Sequence, residues 1–263
     1  INILKIFLWI FNPEFIIDAQ SDEEFKDIIN SCDLSLPDGI GINMAISNMK
    51  SISTYTKDSL YKAKALLTGM SLIRYLWTDK KEFRTIPGVW FVDELCNYAA
   101  RNNLTVGFLG GWPRDYFGRP LKGSHNIAAD VADRLTNKYV GLNVVFSTSD
   151  VLHKKIFDEE NRIKINNILG DKGVDIMFVA FGHPHQEKWI NRNKDFINAN
   201  LSIGVGGSFE TLLAPNSETI RGFTYSGYEW MYRLLTQPWR FQRIFKALFL
   251  FPAKVFIDSL RHW

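Results

Sequence analysis

The sequence predicts an α/β protein, a Rossmann-like parallel sheet with helices on both faces, followed by a helical C-terminal appendage. Two observations predict the sheet. Apolar runs of strand length alternate with helical stretches along the chain. The later runs, such as "VDIMFVAFG" and "LSIGVGG", are almost continuously apolar, as expected of strands covered on both sides. A third observation predicts the appendage. Residues 221–263 hold seven Lys and Arg against Glu229 and Asp258, together with twelve aromatic residues.

The elements follow in order. "ILKIFLWIF" reads as a strand that stops at Asn12-Pro13. "SDEEFKDIINS" reads as a helix opened by a capping box, Ser21 with Glu24 three residues on. "DLSLPDGIG" is a short strand into a turn, and "INMAISNMK" a helix. "FVDELCNYAARNN" is helical and "LTVGFLGG" a strand closed by two glycines. "NIAADVADRLTNKY", "EENRIKINNILGDKG" and "HPHQEKWINRNKDFI" are helices, alternating with the strands "LNVVFST", "VDIMFVAFG" and "LSIGVGG". Residues 50–83 form an apolar, irregular insertion. It reads equally as a lid, a membrane-facing patch or extra core. The main domain spans 1–220. The appendage, 221–263, reads as two or three helices broken at Pro238 and Pro252.

With 263 residues, 46% of them hydrophobic and 22% charged, the chain has the composition of a globular protein that buries a sizeable core. Cys32 and Cys96 make no disulfide framework, so a reducing compartment is expected. No secretory leader is visible, and no stretch approaches the roughly 20 apolar residues of a membrane span. The net charge is +3, yet the appendage alone carries an excess of five positive charges. A basic, aromatic, helical segment suits an anionic membrane or phosphorylated ligands. The same residues also suit a helix packing its aromatics on the core. Nucleic acid is not expected as a partner, because the positive charge sits in one aromatic segment without a recognition motif.

In open parallel sheets ligands bind beyond the carboxyl ends of the strands. Five loops should meet there: Asn12-Pro13-Glu14, Asp38-Gly39-Ile40-Gly41, Gly110-Gly111-Trp112-Pro113, Gly182 to Glu187, and Gly204 to Phe209. Glycines let backbone approach a ligand, and free N–H groups at the following helix starts favour a diphosphate. Pro184 fits a first helical turn, which places Gln186 and Glu187 at the crevice. Gly110-Gly111 reads also as a plain strand-to-helix turn, and Asp38 as a turn aspartate. There is no G-x-G-x-x-G, so no dinucleotide site is expected. His183 and His185 lack H-E-x-x-H spacing and a cysteine pair, and read as solvated helix-cap histidines rather than metal ligands. Ser208 has no G-x-S-x-G context for a hydrolase.

Six stretches together resemble the WecG/TagA/CpsF glycosyltransferases (glycosyltransferase family 26). They are "NPE" at 12–14, "LPDGIG" at 36–41, "FLGG" at 108–111, "FGHPHQEKWI" against the family's G-x-P-x-Q-E-x-W, "IGVGGSFE" at 203–210, and "YEWMYRLLTQPWRFQR" at 228–243 against E-W-x-Y-R-L-x-x-x-P-x-R. The resemblance covers nearly the whole chain except 50–83. It implies inverting, metal-independent transfer of a sugar, N-acetylmannosamine or another hexose, from a UDP-sugar to a polyprenyl-diphosphate-linked sugar. It places the protein peripherally at the cytoplasmic membrane face, in synthesis of teichoic acid or another surface polysaccharide. No cofactor is implied beyond the UDP-sugar donor, and self-association is compatible with the family. The binding residues implied are Asn12, Glu14, Gly39, Gly110, Gly111, Gly182, Gln186, Glu187, Gly206, Gly207 and Phe209, with Arg221, Glu229 and Arg233 from the appendage. Arg221 and Arg233 would neutralise the leaving UDP, since guanidinium matches phosphate oxygens bidentately.

One departure stands out. The resemblance implies a general base in a G-x-D motif, and here Gly88-Val89-Trp90 puts tryptophan in the aspartate's place. Ile10 likewise stands where the family often has threonine. Three readings follow: Asp93, one helical turn on, is the base; Asp38 is the base; or the chain is a catalytically silent relative that binds UDP-sugar or a lipid-linked intermediate.

Overall fold

The computed structural model describes residues 5–54, 60–61, 63–64, 67–68, 86–112, 126–150, 157–170, 173–214 and 229–261. Six strands form one wholly parallel sheet: β1 (Ile6–Phe11), β2 (Leu34–Pro37), β3 (Thr105–Gly110), β4 (Asn143–Thr148), β5 (Val174–Ala180) and β6 (Ala199–Gly204), in the order β2-β1-β6-β5-β3-β4. The described residues include the helices α1 (Pro13–Asp18), α2 (Glu23–Asn30), α3 (Ile40–Ser53), α4 (Gly88–Arg101), α5 (Ile127–Lys138), α6 (Glu159–Leu169), α7 (His185–Asn193), α8 (Ser208–Leu213), α9 (Glu229–Thr236), α10 (Phe241–Phe245) and α11 (Phe251–Arg261).

The two faces of the sheet are read directly from strand alternation. Along β5, Ile176 and Phe178 join the core under α4, α5 and α8, whereas Met177 and Val179 join the core under α1, α2, α6 and α7. Because both faces are covered, the central strands need apolar residues at every position, which is why they read as unbroken apolar runs. A third cluster joins Ile17 of α1, Ile42 and Ala45 of α3, and Phe251 of α11. It seats the end of the appendage on the main domain.

Local chemistry explains the boundaries. Asn12 caps α1 by accepting from the N–H groups of Glu14 and Phe15, and Pro13 takes the first helical position. The cap of α2 is Asp22, which accepts from Phe25 N–H, rather than Ser21. The Ser21 hydroxyl instead donates to the Asp18 carbonyl, so it is already used. Pro238 opens a 3₁₀ turn at Pro238–Arg240, where a break was expected. Pro252 does not break the chain. A π turn at Lys246–Leu250 precedes it, with Phe251 N–H reaching back to the Lys246 carbonyl. The widened turn gives the proline ring room that a regular α turn would deny it. Most of the 50–83 insertion lies outside the described residues. Cys32 and Cys96 are free.

Gly107 in β3 marks a close approach. A Cβ there would lie 2.1 Å from Cε1 of Phe146 on β4, beside a shift in the β3–β4 register. Phe146 is buried, so its ring cannot simply swing away. Gly107→Ala is expected to lower unfolding free energy by about 1–3 kcal/mol in urea titration, the usual cost of overpacking.

Candidate active site

A cavity of about 210 Å³ opens beyond the carboxyl ends of β1, β2, β5 and β6. Asn12 follows β1 and Asp38 follows β2. Gly182 and Gln186 follow β5, and Gly206 and Gly207 follow β6. Pro87, Gly88 and Val89 close one wall, and Arg240 and Arg243 of the appendage close another. These loops come from strands far apart in sequence, and the parallel sheet brings them to one edge.

Gln186 holds the floor together. Its Oε1 accepts the N–H of Gly206 at 2.9 Å and that of Gly182 at 3.2 Å. Its Nε2 donates to Glu187 Oε1 at 2.6 Å. Both side chains are buried, Glu187 completely. Gly204 makes this possible, because a Cβ there would come 2.6 Å from Gln186 Nε2 and 2.9 Å from Glu187 Oε1. The unit fixes the glycine loops after β5 and β6, whose backbone a diphosphate would approach. Gln186 therefore faces the cleft as the motif suggests, while Glu187 lies behind it as the buried acceptor. The helix itself begins at His185, with Pro184 in the cap position.

His183 corrects the sequence reading. It is not a solvated cap: its side chain is only 4% exposed, stacked on Phe15 at 4.3 Å and edge-on to Phe25 at 4.8 Å. Its Nε2 is 2.9 Å from Asp18 Oδ2. Its Nδ1 lies 3.8 Å from Glu187 Oε2, too far for a hydrogen bond but close enough for attraction if charged. Burial works against the imidazolium, but Asp18 and then Glu187 outweigh it, so the His183 pKa lies above the usual value. Burial likewise pushes Asp18 up, yet bonds from His183 and Lys246 outweigh it and hold its carboxyl below the ordinary range. His185 is exposed, as expected of a cap residue.

Two cations of the appendage meet the acids of α1. Arg243 Nε and Nη2 approach Glu14 Oε2 at 2.7 and 2.6 Å, and Lys246 Nζ donates to Asp18 Oδ1 at 2.7 Å. Glu14, Asp18 and His183 do place three donor atoms within 4.8 Å of one another. The carboxylates already face a guanidinium and an ammonium, so a dication would have to displace both. The arrangement fits a charge-balanced docking seam better than a metal site.

The other predicted residues divide clearly. Asp38 lines the cleft, with its N–H bonded to the Phe11 carbonyl at 2.6 Å. Asp93 does not reach it. It is buried on α4, with both oxygens bound by Lys138 Nζ at 2.8 and 2.7 Å. Trp90, 36% exposed, is not among the lining residues either. Gly110 and Gly111 make the turn after β3 at positive φ, and Cβ atoms on them would strike Phe181, Ile127 and Phe209. The turn therefore has no room for side chains at either position. Phe209 is fully buried against Phe108, and Gly39 caps α3 at positive φ. Glu229 and Arg233 lie on α9 with side chains outside the described residues, as does all of Arg221. Sequence reasoning passed over Arg240, Arg243 and His183 as site residues. The final arginine of the appendage motif falls on Arg240 and was the signal available for it. A Cβ on Gly207 would come 2.8 Å from Arg240 Nη2, so this guanidinium lies directly on the loop after β6.

This cleft, its glycine loops and its arginine wall invite comparison with known proteins. The sequence model of the glycosyl transferase WecG/TagA/CpsF family matches residues 57–263, most of the chain. The chain belongs to that family. The matched range includes the greater part of the segment that the sequence motifs set apart. Curated relatives agree. A Bacillus subtilis protein named N-acetylglucosaminyldiphosphoundecaprenol N-acetyl-beta-D-mannosaminyltransferase is 25% identical over 233 residues, 89% of this chain and 72% of its own length. A protein of the same name from Staphylococcus aureus is 23% identical over 251 residues, 95% of this chain and 80% of its own. As a member of this family the protein is a glycosyltransferase.

The His183–Asp18 pair predicts a pH dependence of stability. His183 has its pKa raised on folding, so its contribution is complete below the unfolded value of about 6.5 and is lost as pH rises through the higher folded value. Asp18 has its pKa lowered, so its contribution is present above the unfolded value of about 3.9 and is lost as pH falls through the lower folded value. Thermal midpoints from acid to alkaline pH should therefore fall at both ends. His183→Gln should remove the His183 share of the alkaline decline and also shrink the acid limb, leaving the part that Lys246 supports.

Proposed function

We propose that the protein transfers a sugar, N-acetylmannosamine or a related hexose, from a UDP-sugar to a polyprenyl-diphosphate-linked sugar, with inversion and without a metal. The observation that carries this reading is the meeting of Asp38, the Gln186-held glycine loops and Arg240 with Arg243 in one cleft. The names of the relatives supply the acceptor class, a lipid-linked N-acetylglucosamine diphosphate. Such transfer would serve teichoic acid or another surface polysaccharide.

The chemistry follows from these groups. An acceptor hydroxyl oxygen attacks the anomeric carbon from the side opposite UDP. The bond from that carbon to the diphosphate oxygen breaks, and its electron pair leaves with UDP. Asp38 takes the hydroxyl proton. Arg240 and Arg243 would face the diphosphate as it gains charge, Arg243 while its Nε and Nη2 stay on Glu14. Backbone N–H groups at the start of α8 add partial positive charge. Asp38 is the carboxylate lining the cleft among the described residues, whereas Asp93 is held by Lys138. The tryptophan at position 90 therefore need not silence the enzyme, because a carboxylate faces the cleft from another loop.

The membrane reading rests on the outer face of the appendage. Phe241, Phe245 and Phe249 are exposed; Phe245 stacks on Phe249 at 5.3 Å between ring centres, and Phe241 lies tilted to Phe245 at 6.2 Å. Met231, Leu235 and Ile257 are exposed as well. Among the described residues no helix is long and apolar enough to cross a membrane. An interfacial, peripheral attachment at the cytoplasmic face fits this pattern.

Release of UDP from a panel of UDP-sugars, with and without a short-chain polyprenyl-diphosphate-linked N-acetylglucosamine, tests the reaction. Acceptor-dependent release is expected, and Asp38→Asn should reduce it by about 10²–10⁴-fold while leaving UDP affinity nearly unchanged. Binding of UDP without any release would favour the silent relative instead. For the membrane face, Phe245→Asp with Phe249→Asp should weaken binding to anionic vesicles by about ten-fold or more in flotation assays, given the burial energy of a phenyl ring. Unchanged flotation would remove these rings from the contact.

A further inference from the structure

We propose that His183 is a positioning residue that holds the C-terminal appendage over the cleft. The inference deepens the transferase reading by naming how the arginine wall of that site is held.

The argument is one of connectivity. Arg240 and Arg243 line the cleft but belong to the appendage, which must be docked for them to act. Docking of this stretch runs through α1: Glu14 binds Arg243, and Asp18 binds Lys246. The π turn between α10 and α11 contacts α1, and Phe251 packs with Ile17. Asp18 has to present one oxygen to Lys246 while its other oxygen is fixed. His183 fixes it, with Nε2 2.9 Å from Oδ2. The imidazole is itself clamped by stacking on Phe15 and by the edge of Phe25. On its other side Nδ1 faces Glu187, whose Oε1 binds Gln186, and Gln186 holds the loops at Gly182 and Gly206. One ring thus links the floor of the cleft to the latch of its wall.

Asp18 and Glu14 face His183 from α1, Glu187 and His185 from α7; Lys246 reaches it through Asp18, Arg243 is held on Glu14, and Arg240 lines the same cleft. The acids of α2 are turned elsewhere, Asp22 to Lys188 and Glu24 to Lys188 and Arg192. His183 is therefore a cation site in which negative neighbours predominate. Losing the proton weakens the bond that orients Asp18, and with it the grip on Lys246.

Hydrogen exchange of residues 241–250 tests this without needing turnover. His183→Phe keeps the stack on Phe15 and removes the bond to Asp18. Exchange across 241–250 should rise about ten-fold, the size expected for one charge-assisted hydrogen bond, while β5 and β6 stay protected. His183→Gln places an amide nitrogen near Nε2 and should restore most of the protection. Wild-type exchange at 241–250 in His183→Phe would overturn the proposal. So would equal loosening in both variants, which would make the imidazole mere packing. If the wild-type protein fails to release UDP yet the exchange pattern is as expected, the transferase reading fails and this one stands. With turnover, His183→Phe should lower kcat more than it raises the donor KM, and the wild-type kcat should decline as pH rises through the His183 value.

Discussion

The side-chain amide of Gln186 sits between two glycine loops that leave different strands of the sheet. It accepts from Gly182 on one side and Gly206 on the other, and it donates to the buried carboxylate of Glu187. Buried polar groups are costly unless their bonds are made, and Gln186 makes three here, while Glu187 Oε2 and His183 Nδ1 face each other buried at 3.8 Å without a hydrogen bond. Gly204 leaves the space that it occupies. The shape of the cleft floor, the setting of His183 and the path of the loop beneath Arg240 all follow from this unit.

Charge is arranged by the same logic. The appendage is basic, and α1 offers Glu14 and Asp18 to receive Arg243 and Lys246. The ion pairs are partly shielded from water, where such pairs hold geometry better than at an open surface. They leave the Arg240 and Arg243 guanidinium groups at the rim of the cleft. A wall of arginine facing glycine loops suits an anionic group. The outward face of the same segment carries the phenyl ladder. One short stretch thus turns its basic side to the cleft and its aromatic side to the surroundings.

Much of this was legible in the sequence because periodicity and punctuation are local. The six strands stood out as apolar runs, closed by glycine or proline in all but β4, and the long helices as the stretches between them. Motif spacing pointed to Asn12, Asp38, Gly182, Gln186, Gly206 and Gly207, which the structure gathers around one cleft. Short helices were harder. α1 and α8 each have six residues, less than two turns, and give little periodic signal. The helical passage through Pro252 was also hidden, since a π turn depends on hydrogen bonding rather than on composition.

The residues that the sequence misplaced share a cause. Asp93 seemed a candidate by its distance from Trp90 along the chain, but the direction of a helical side chain depends on what the helix packs against. Here that neighbour is Lys138 at the end of α5. His183 looked like a solvated cap because a histidine beside proline carries no mark of burial. Phe15 and Phe25, from other helices, enclose it. The amino-acid sequence by itself determined the parallel sheet, the glycine loops at its carboxyl edge and the basic, aromatic end of the chain. Only the tertiary structure decided which carboxylate faces the cleft, which arginines reach it and how His183 is held, because those depend on contacts between residues up to 229 positions apart.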